Sequence, residues 1–465
     1  MHKLLNVITR TDSYKVSHFA QYPENATRVS SYIEARGGKF RETVFFGLQA
    51  FIKEYLLTPI TSDDVKMAKK LLEAHGEPFN EADWMIIVNE HDGLLPIEIS
   101  AVAEGTVLPT GNIQVQVVNT DPRLPWLTSY VETALLRAVW YPSTVATVSR
   151  KVKKIIYNGL RITSDNPDAE IPFKLHDFGS RGASCSEAAM LGGMGHLVNF
   201  MGTDTVEALI GPIMYYNADG PVGFSIPASE HSTVTAWGRD GEVAMLEHYL
   251  DAHPTGMLAC VIDSYDAVHF ARNIIGGKLR DRIMARDGVF VARPDSGDPV
   301  HMPLNIIEIL MEQFGYTTNS KGFKVLPPQI RVLQGDGMDI EKITQLVIAA
   351  HDHGISGDNF AVGMGGGLLQ KIDRDTLKYA MKANAIEIDG VWQDVYKDPM
   401  TDHDKKSKKG MQALVKRGFG FKTVRRDSLV VGAHGSEKNY LRPVYKNGKL
   451  LVDDTFEAIR ERASL

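Results

Sequence analysis

From about Phe173 onward the chain repeats one arrangement of apolar and polar positions: a short apolar run, a polar or glycine-rich cluster, then a stretch with apolar residues at helical spacing. FKL precedes HDFGSRG, MLACVI precedes DSYD, GVFVA precedes RPDSGDP, IRVL precedes QGDG, and FAV precedes GMGGG. Each run has the length of a strand, and IEKITQLVIAAHDHG and VHMPLNIIEILMEQFG carry the helical period. Strand, loop and helix repeated at spacings of about 25 to 50 residues is the pattern of βα units. Such units close into a parallel barrel or stack as an open sheet. In both, chemistry gathers at the C-terminal strand ends, where every cluster just quoted falls.

The first part of the chain reads differently. PIEISAVAEGTVLPTGNIQVQVVNT alternates strands with Gly and Pro turns, and PWLTSYVETALLRAVWYP has the pattern of an amphipathic helix. ANAIEIDGVWQDVYKDP predicts a hairpin with Asp389 and Gly390 at its turn, and KDPMTDHDKKSKKG, polar and basic, reads as a mobile loop. The expected fold is α/β: an irregular parallel (β/α) barrel-like domain over 151–395, with an additional mixed α+β domain formed largely by 1–150. Residues 396–465 are expected to supply a basic loop and C-terminal strands that return to the N-terminal portion.

Composition narrows the function classes. A chain of 465 residues, 43% hydrophobic and 23% charged, buries a large core and has no tract of disordered composition. A net charge of −6 gives no basic footprint for nucleic acid, so an anionic substrate needs helix N-termini and a few placed Arg or Lys. The opening MHKLLNVITRTD is too briefly apolar for a secretory leader or a membrane span, so the expected location is cytoplasmic, without membrane contact. Cys185 and Cys260 stand far apart without CxxC spacing, which indicates neither a disulfide framework nor a zinc site; both are expected to be small buried residues.

The clusters suggest a ligand. In GMGGGLLQK, Gly363, Gly365, Gly366 and Gly367 allow close backbone approach before a helix start, which suits a phosphate; a tight structural turn is the alternative. It is neither GxxxxGK[ST] nor GxGxxG. In QGDGMD, Asp336 between Gly335 and Gly337 can accept from sugar hydroxyls or hold a metal through water, or it can cap the helix beginning near Asp339. In RPDSGDP, Arg293 suits a phosphate, and Asp295 suits hydroxyls or magnesium; an Arg–Asp ion pair explains the same residues. Phe178, Arg181 and Asp204 together suit a flat heterocycle bearing an amide, although a lone Phe is more often core. Glu230 and His231 open a helix-like run, where the histidine is either part of a capped helix start or a nucleophile or acid/base.

Taken in order, TDSYKVSHFAQYP, FGLQ, HDFGSRG, HLVNFMGTDTV, SIPASEHSTVTAWG, DSYD, RPDSGDP, QGDG, GGGLLQK and KDPMTDHDKKSKKG resemble the nicotinamide phosphoribosyltransferase family of type II phosphoribosyltransferases. The resemblance runs from Thr11 to about Gly410. It implies transfer of a phosphoribosyl group from phosphoribosyl pyrophosphate to nicotinamide with magnesium, driven by ATP hydrolysis. It also implies a homodimer with active sites shared across the interface, to which the N-terminal portion contributes. Carried over by position, Phe178 and Tyr14 match rings that stack on nicotinamide, the tyrosine coming from the partner, with Asp12 beside it. Asp204 matches the carboxylate that bonds the carboxamide, Arg181 lines that pocket and Ser225 borders it. Arg293, Asp295, Gly335 and Asp336 match the ribose and phosphate site, and Gly365, Gly366 and Arg374 the 5′-phosphate site. His231 matches a histidine that ATP phosphorylates, with Glu230 and Asp263 near it. Arg36, Lys382, Lys397 and Lys405 match basic residues that meet phosphates. The protein's metal ligands are left open, with magnesium expected to be held mainly by pyrophosphate oxygens. Two positions depart from the pattern and bear on the pocket rim: Ser180 stands where known members carry Tyr, and Met364 where they carry Ser.

The nearest rival is the same chemistry on nicotinate, against which Asp204 argues by charge. A sugar-phosphate aldolase or isomerase would need a strand-end lysine or an enolising base, and none stands out. A non-catalytic nucleotide sensor is separated from the enzyme by measuring turnover.

Overall fold

The computed structural model describes residues 5–401, 406–418, 420–429, 431–432 and 435–465. The chain forms two compact units, one of Met1–Thr147, Gly211–Asp219 and Asp373–Ser464, the other built of Val148–Ile210 and Gly220–Ile372. Among the described residues no helix is long and apolar enough to cross a membrane.

The second unit contains the βα repeats. Six parallel strands lie in the order Gly202–Thr203, Leu175–Asp177, Phe360–Met364, Ile330–Gln334, Phe290–Arg293 and Leu258–Val261. The apolar runs are strands because both faces are covered: all four residues of Leu258–Val261 are buried. Residues 224–229, to which the sequence pattern assigns no element, bond to both edges of this sheet. Thr203 N–H donates to Phe224 O and Ser229 N–H to Ala259 O, each at 3.0 Å, so the curled sheet returns on itself. The helices His301–Phe314 and Ile340–Asp352 follow the predicted spacing. Asp339, whose Oδ1 accepts from Lys342 N–H at 2.9 Å, caps the latter, which leaves Asp336 free of that task.

The first unit is organised by a seven-stranded antiparallel sheet. Its order is Val391–Asp394, Tyr379–Ile388, Ala26–Ala35, Ile113–Asn119, Ile97–Ala101, Arg442–Lys446 and Lys449–Leu450. The predicted hairpin turn is present, with Asp389 at φ 50° and Gly390 at φ 76°, the left-handed pair that two-residue hairpins require. Because Tyr379–Ile388 pairs along Ala26–Ala35, residues 373–395 belong to this unit and not to the barrel portion expected from sequence. The basic loop is anchored in its described parts: Lys397 and Ser407 exchange hydrogen bonds, and Lys408 bonds Tyr32 and Glu34.

The amphipathic segment near residue 130 becomes the 32-residue helix Glu132–Thr163, which passes through Pro142. Proline removes an N–H and crowds the preceding turn, which ordinarily ends a helix. Here the Ser143 hydroxyl bonds Phe46 N–H and C=O, tying the turn to a neighbouring segment. Gly47 makes the approach possible, since a Cβ there would lie 2.4 Å from Pro142 Cγ and 2.7 Å from Ala138 O. Both cysteines are free; Cys260 is buried as expected, with its thiol pushed up to about 12 by burial, whereas Cys185 is exposed where the chain enters the helix Ser186–Leu197.

Candidate active site

In the barrel unit the predicted clusters meet around one ring. Phe178 leaves the strand Leu175–Asp177, and its N–H donates to Met364 O at 3.1 Å. The ring lies over Gly363, where a Cβ would fall 2.1 Å from Phe178 Cε2, so only glycine permits the stack. Asp204 follows the strand Gly202–Thr203, and its N–H donates to Asp177 O at 2.9 Å. The Ser225 hydroxyl donates to Asp204 Oδ1 at 2.5 Å, leaving Oδ2 for another donor. Phe178, Asp204, Ser225, His176 and Arg293 line a cavity of about 510 Å³. Burial holds the His176 imidazole pKa down, against the pull of Asp204, so it faces this space uncharged near neutrality. Arg181, on the exposed turn Ser180–Gly182, has no ionic or hydrogen-bond partner among the described residues.

The cavity continues to Glu170, Lys174, Arg331 and Asp358 at the opposite strand ends. Sequence reading missed this bore. Its walls come from residues at strand starts, and no local motif marks a barrel interior as hollow.

Arg293 and Asp295 stand beside the same ring. Their Nε and Oδ1 are 3.4 Å apart, an ion pair without a hydrogen bond, and Arg293 Nε is buried with no hydrogen-bond partner among the described residues. A Cβ on Gly335 would lie 2.7 Å from Asp295 Oδ1 and 3.4 Å from Phe178 Cε2, so that glycine is the joint between the two clusters. Burial pushes the Asp295 carboxyl up; Arg293 and His231 oppose the shift, while Asp263 and Asp336 add to it. Four clusters far apart in sequence therefore act on one carboxylate. Gly366 opens onto space, with no atom within 4 Å of where a Cβ would stand, and Gly365 approaches Phe178 O. The helix after them is a single turn, Gly366–Leu369, shorter than the glycine pattern suggested.

His231 begins the helix His231–Thr235, capped by Glu230 and Thr233 in a reciprocal pair. His231 Nε2 lies 2.9 Å from Asp263 Oδ1, and the imidazole is 47% exposed while the carboxylate is 6% exposed. A buried acid thus orients an accessible imidazole, the arrangement that nucleophilic or acid/base chemistry uses.

The remaining candidates belong to the sheet unit. Asp12 Oδ2 accepts from the Thr133 hydroxyl at 2.6 Å, and Tyr14 is 58% exposed, a high value for an aromatic side chain. Arg36 pairs with Glu34 at 3.2 Å. The Lys382 ammonium donates to Met381 O at 2.8 Å; burial lowers its pKa, Arg36, Lys15 and Lys397 lower it further, and Glu132 opposes them. These cations form a cluster that sequence reading assembled only in part. It missed Lys15, which is buried against Glu132 at 2.7 Å. Arg374 opens the turn Arg374–Thr376 and stands 3.7 Å from Asp375. Lys405 lies outside the described residues. Of the two departures, the Ser180 hydroxyl bonds Glu207 at 3.4 Å, and Met364 is buried beneath the Phe178 turn.

Residues 173–449 match the model of the nicotinate phosphoribosyltransferase family, and residues 6–99 match that of the nicotinamide phosphoribosyltransferase N-terminal domain. The chain is 47% identical to a nicotinamide phosphoribosyltransferase of Xanthomonas campestris pv. campestris, over 100% of this chain and 99% of the relative. A nicotinamide phosphoribosyltransferase of Acinetobacter baylyi is 29% identical over 98% of this chain and 97% of its own length. Among solved structures, human nicotinic acid phosphoribosyltransferase superposes with a TM-score of 0.60 at 16% identity, covering 97% of this chain and 92% of that one, a likeness of fold.

Proposed function

The chain belongs to the nicotinate phosphoribosyltransferase family, and from that premise we propose that it joins nicotinamide to phosphoribosyl pyrophosphate, giving nicotinamide mononucleotide and pyrophosphate, with ATP hydrolysis coupled to the transfer. One observation carries the choice of base: Asp204, held through one oxygen by Ser225, stands with Phe178 at the cavity. An ionised carboxylate only accepts hydrogen bonds. It suits the NH2 of a carboxamide and repels the carboxylate of nicotinate.

The pyridine nitrogen needs no deprotonation, so the protein's work is alignment and charge stabilisation. Phe178 stacks on the base, and Tyr14 of a second copy is proposed as the opposing ring. Arg293 offers unused donors to phosphate, and Asp295 and Asp336 accept from ribose hydroxyls. Gly365 and Gly366 allow backbone contact with the 5′-phosphate, with Arg374 beside it. Arg36, Lys382, Lys397 and Lys405 neutralise the departing pyrophosphate, and Arg181 borders the base.

His231, oriented by Asp263 and placed at its helix start by Glu230, is the proposed acceptor of a phosphoryl group from ATP. Magnesium fits this donor set: burial, with Asp263 and Asp336 adding to it, raises the cost of charging Asp295, which a cation relieves, yet the described residues hold no group of three ligating side chains. Its oxygens would come mainly from pyrophosphate, and it would supply charge neutralisation of the leaving group.

The test is to incubate the protein with nicotinamide, phosphoribosyl pyrophosphate and magnesium, with and without ATP, and to quantify the mononucleotide. Formation from nicotinamide in preference to nicotinate, stimulated by ATP, is the expected result; no product overturns the proposal.

A further inference from the structure

Phe178 and Asp204 have roles in the proposed reaction, and the residue that joins their strands has none. We propose that Asp177 is the positioning residue of the base site: its buried carboxylate fixes the turn carrying Phe178 and Arg181, while its carbonyl holds Asp204. One residue thereby sets the gap between the stacking ring and the hydrogen-bonding carboxylate. The inference rests on the function proposed above.

Asp177 ends the strand Leu175–Asp177 and is 0% exposed. Alternation along the strand puts its side chain on the face opposite Phe178. Its Oδ1 accepts from Gly179 N–H at 2.8 Å, and its carbonyl accepts from Asp204 N–H at 2.9 Å. Thr203 pairs with it across the sheet, and Thr203 Oγ1 accepts from Thr205 N–H at 3.0 Å. Asp177 Oδ2 and the Thr205 hydroxyl are both buried with no hydrogen-bond partner among the described residues, and the Thr205 hydroxyl is close enough to help hold the Asp177 carboxyl down. Packing leaves little slack: a Cβ on Gly179 would lie 3.0 Å from Oδ1, and one on Gly193 would lie 3.3 Å from Oδ2.

A charge is not needed to accept one N–H, so its retention in a dry site calls for a reason. The surroundings are donors, namely Gly179 N–H and the Thr203 and Thr205 hydroxyls, and they hold the carboxyl down. Burial acts more strongly and pushes it up to about 6, with Asp204 adding in the same direction. Asp204 is the charged group that acts on it from the adjacent strand, while Gly193 and Ala208 pack there without charge. Protonation removes an acceptor from a ring of donors and loosens the Phe178–Gly179 turn.

The experiment is steady-state kinetics with nicotinamide varied at saturating phosphoribosyl pyrophosphate, magnesium and ATP, from about pH 5 to 8.5, on wild type, Asp177→Asn and Thr205→Val. Asp177→Asn, nearly isosteric, is expected to raise KM for nicotinamide about ten-fold or more, with kcat within about three-fold and KM for phosphoribosyl pyrophosphate unchanged. Wild type should lose kcat/KM for nicotinamide on the acid side with an apparent pKa near 6, and Asp177→Asn should lack that limb. Thr205→Val removes a donor to the carboxylate and should move the limb to higher pH; it decides the matter alone if Asp177→Asn does not fold. An unchanged nicotinamide KM with the acid limb intact in Asp177→Asn, or an unmoved limb in Thr205→Val, overturns the assignment. Wild type that makes no mononucleotide would instead sink the proposed function, so the two failures are distinguishable.

Discussion

Ser225 occupies one oxygen of Asp204, so the carboxylate presents a single directed acceptor to whatever stacks on Phe178. On the proposed function, replacing that acceptor by an amide removes the charge that disfavours nicotinate. Asp204→Asn is expected to lower the nicotinamide-to-nicotinate ratio of kcat/KM by about ten-fold or more, measured in paired rate assays. Asp177 makes a different prediction, about stability. Its carboxyl is raised to about 6 from an ordinary 3.8, so the folded chain binds the proton more tightly than the unfolded chain. That contribution is complete below the ordinary value and is lost as pH rises through about 6, a difference of roughly 3 kcal/mol. Asp177→Asn should therefore unfold at higher urea than wild type at pH 8, with the gap closing toward pH 4. A variant more stable yet poorer at binding base is what a charge kept for function predicts.

Elements of the βα repeat were legible because a buried parallel strand needs a continuous apolar run and its covering helix needs a periodic one. Their ends were less so. Gly363 reads as part of a glycine loop, but it lies inside the strand Phe360–Met364 with the Phe178 ring upon it. Gly363→Ala would put a methyl 2.1 Å from Phe178 Cε2 and should displace the ring. The expected outcome is a nicotinamide KM raised about ten-fold or more with a lowered melting temperature, checked by kinetics and thermal unfolding. Residues 224–229 carry no strand signal for another reason: the segment holds Pro and polar residues, and its bonds go to two sheet edges far from it in sequence. Pro142 likewise signals a helix end that Gly47 and Ser143 override.

For the whole molecule, the candidate residues divide between the two units. Tyr14, Asp12 and the Arg36–Lys382–Lys397 cluster lie in the sheet unit; Phe178, Asp204, Arg293 and His231 lie in the barrel unit. The proposed homodimer assigns the first group to a partner's site. Tyr14, which that proposal places against a second copy, is 58% exposed. Mixing inactive Tyr14→Ala and His231→Ala homodimers should then restore part of the activity through hybrid sites, measured after verified subunit exchange. Absence of rescue would refute sharing between subunits.

The amino-acid sequence by itself determined the alternation of strands and helices, the face on which chemistry gathers, and the residue types that suit a flat amide-bearing base and a phosphorylated sugar. These follow from local pattern and side-chain chemistry. Only the tertiary structure decided that Gly335 joins Phe178 to Asp295, that Asp263 holds His231, that the barrel is hollow, and that Asp177 ties the strand before Phe178 to the one before Asp204. Each of those depends on contacts between segments distant in sequence, where burial and geometry, not composition, fix which oxygen meets which donor.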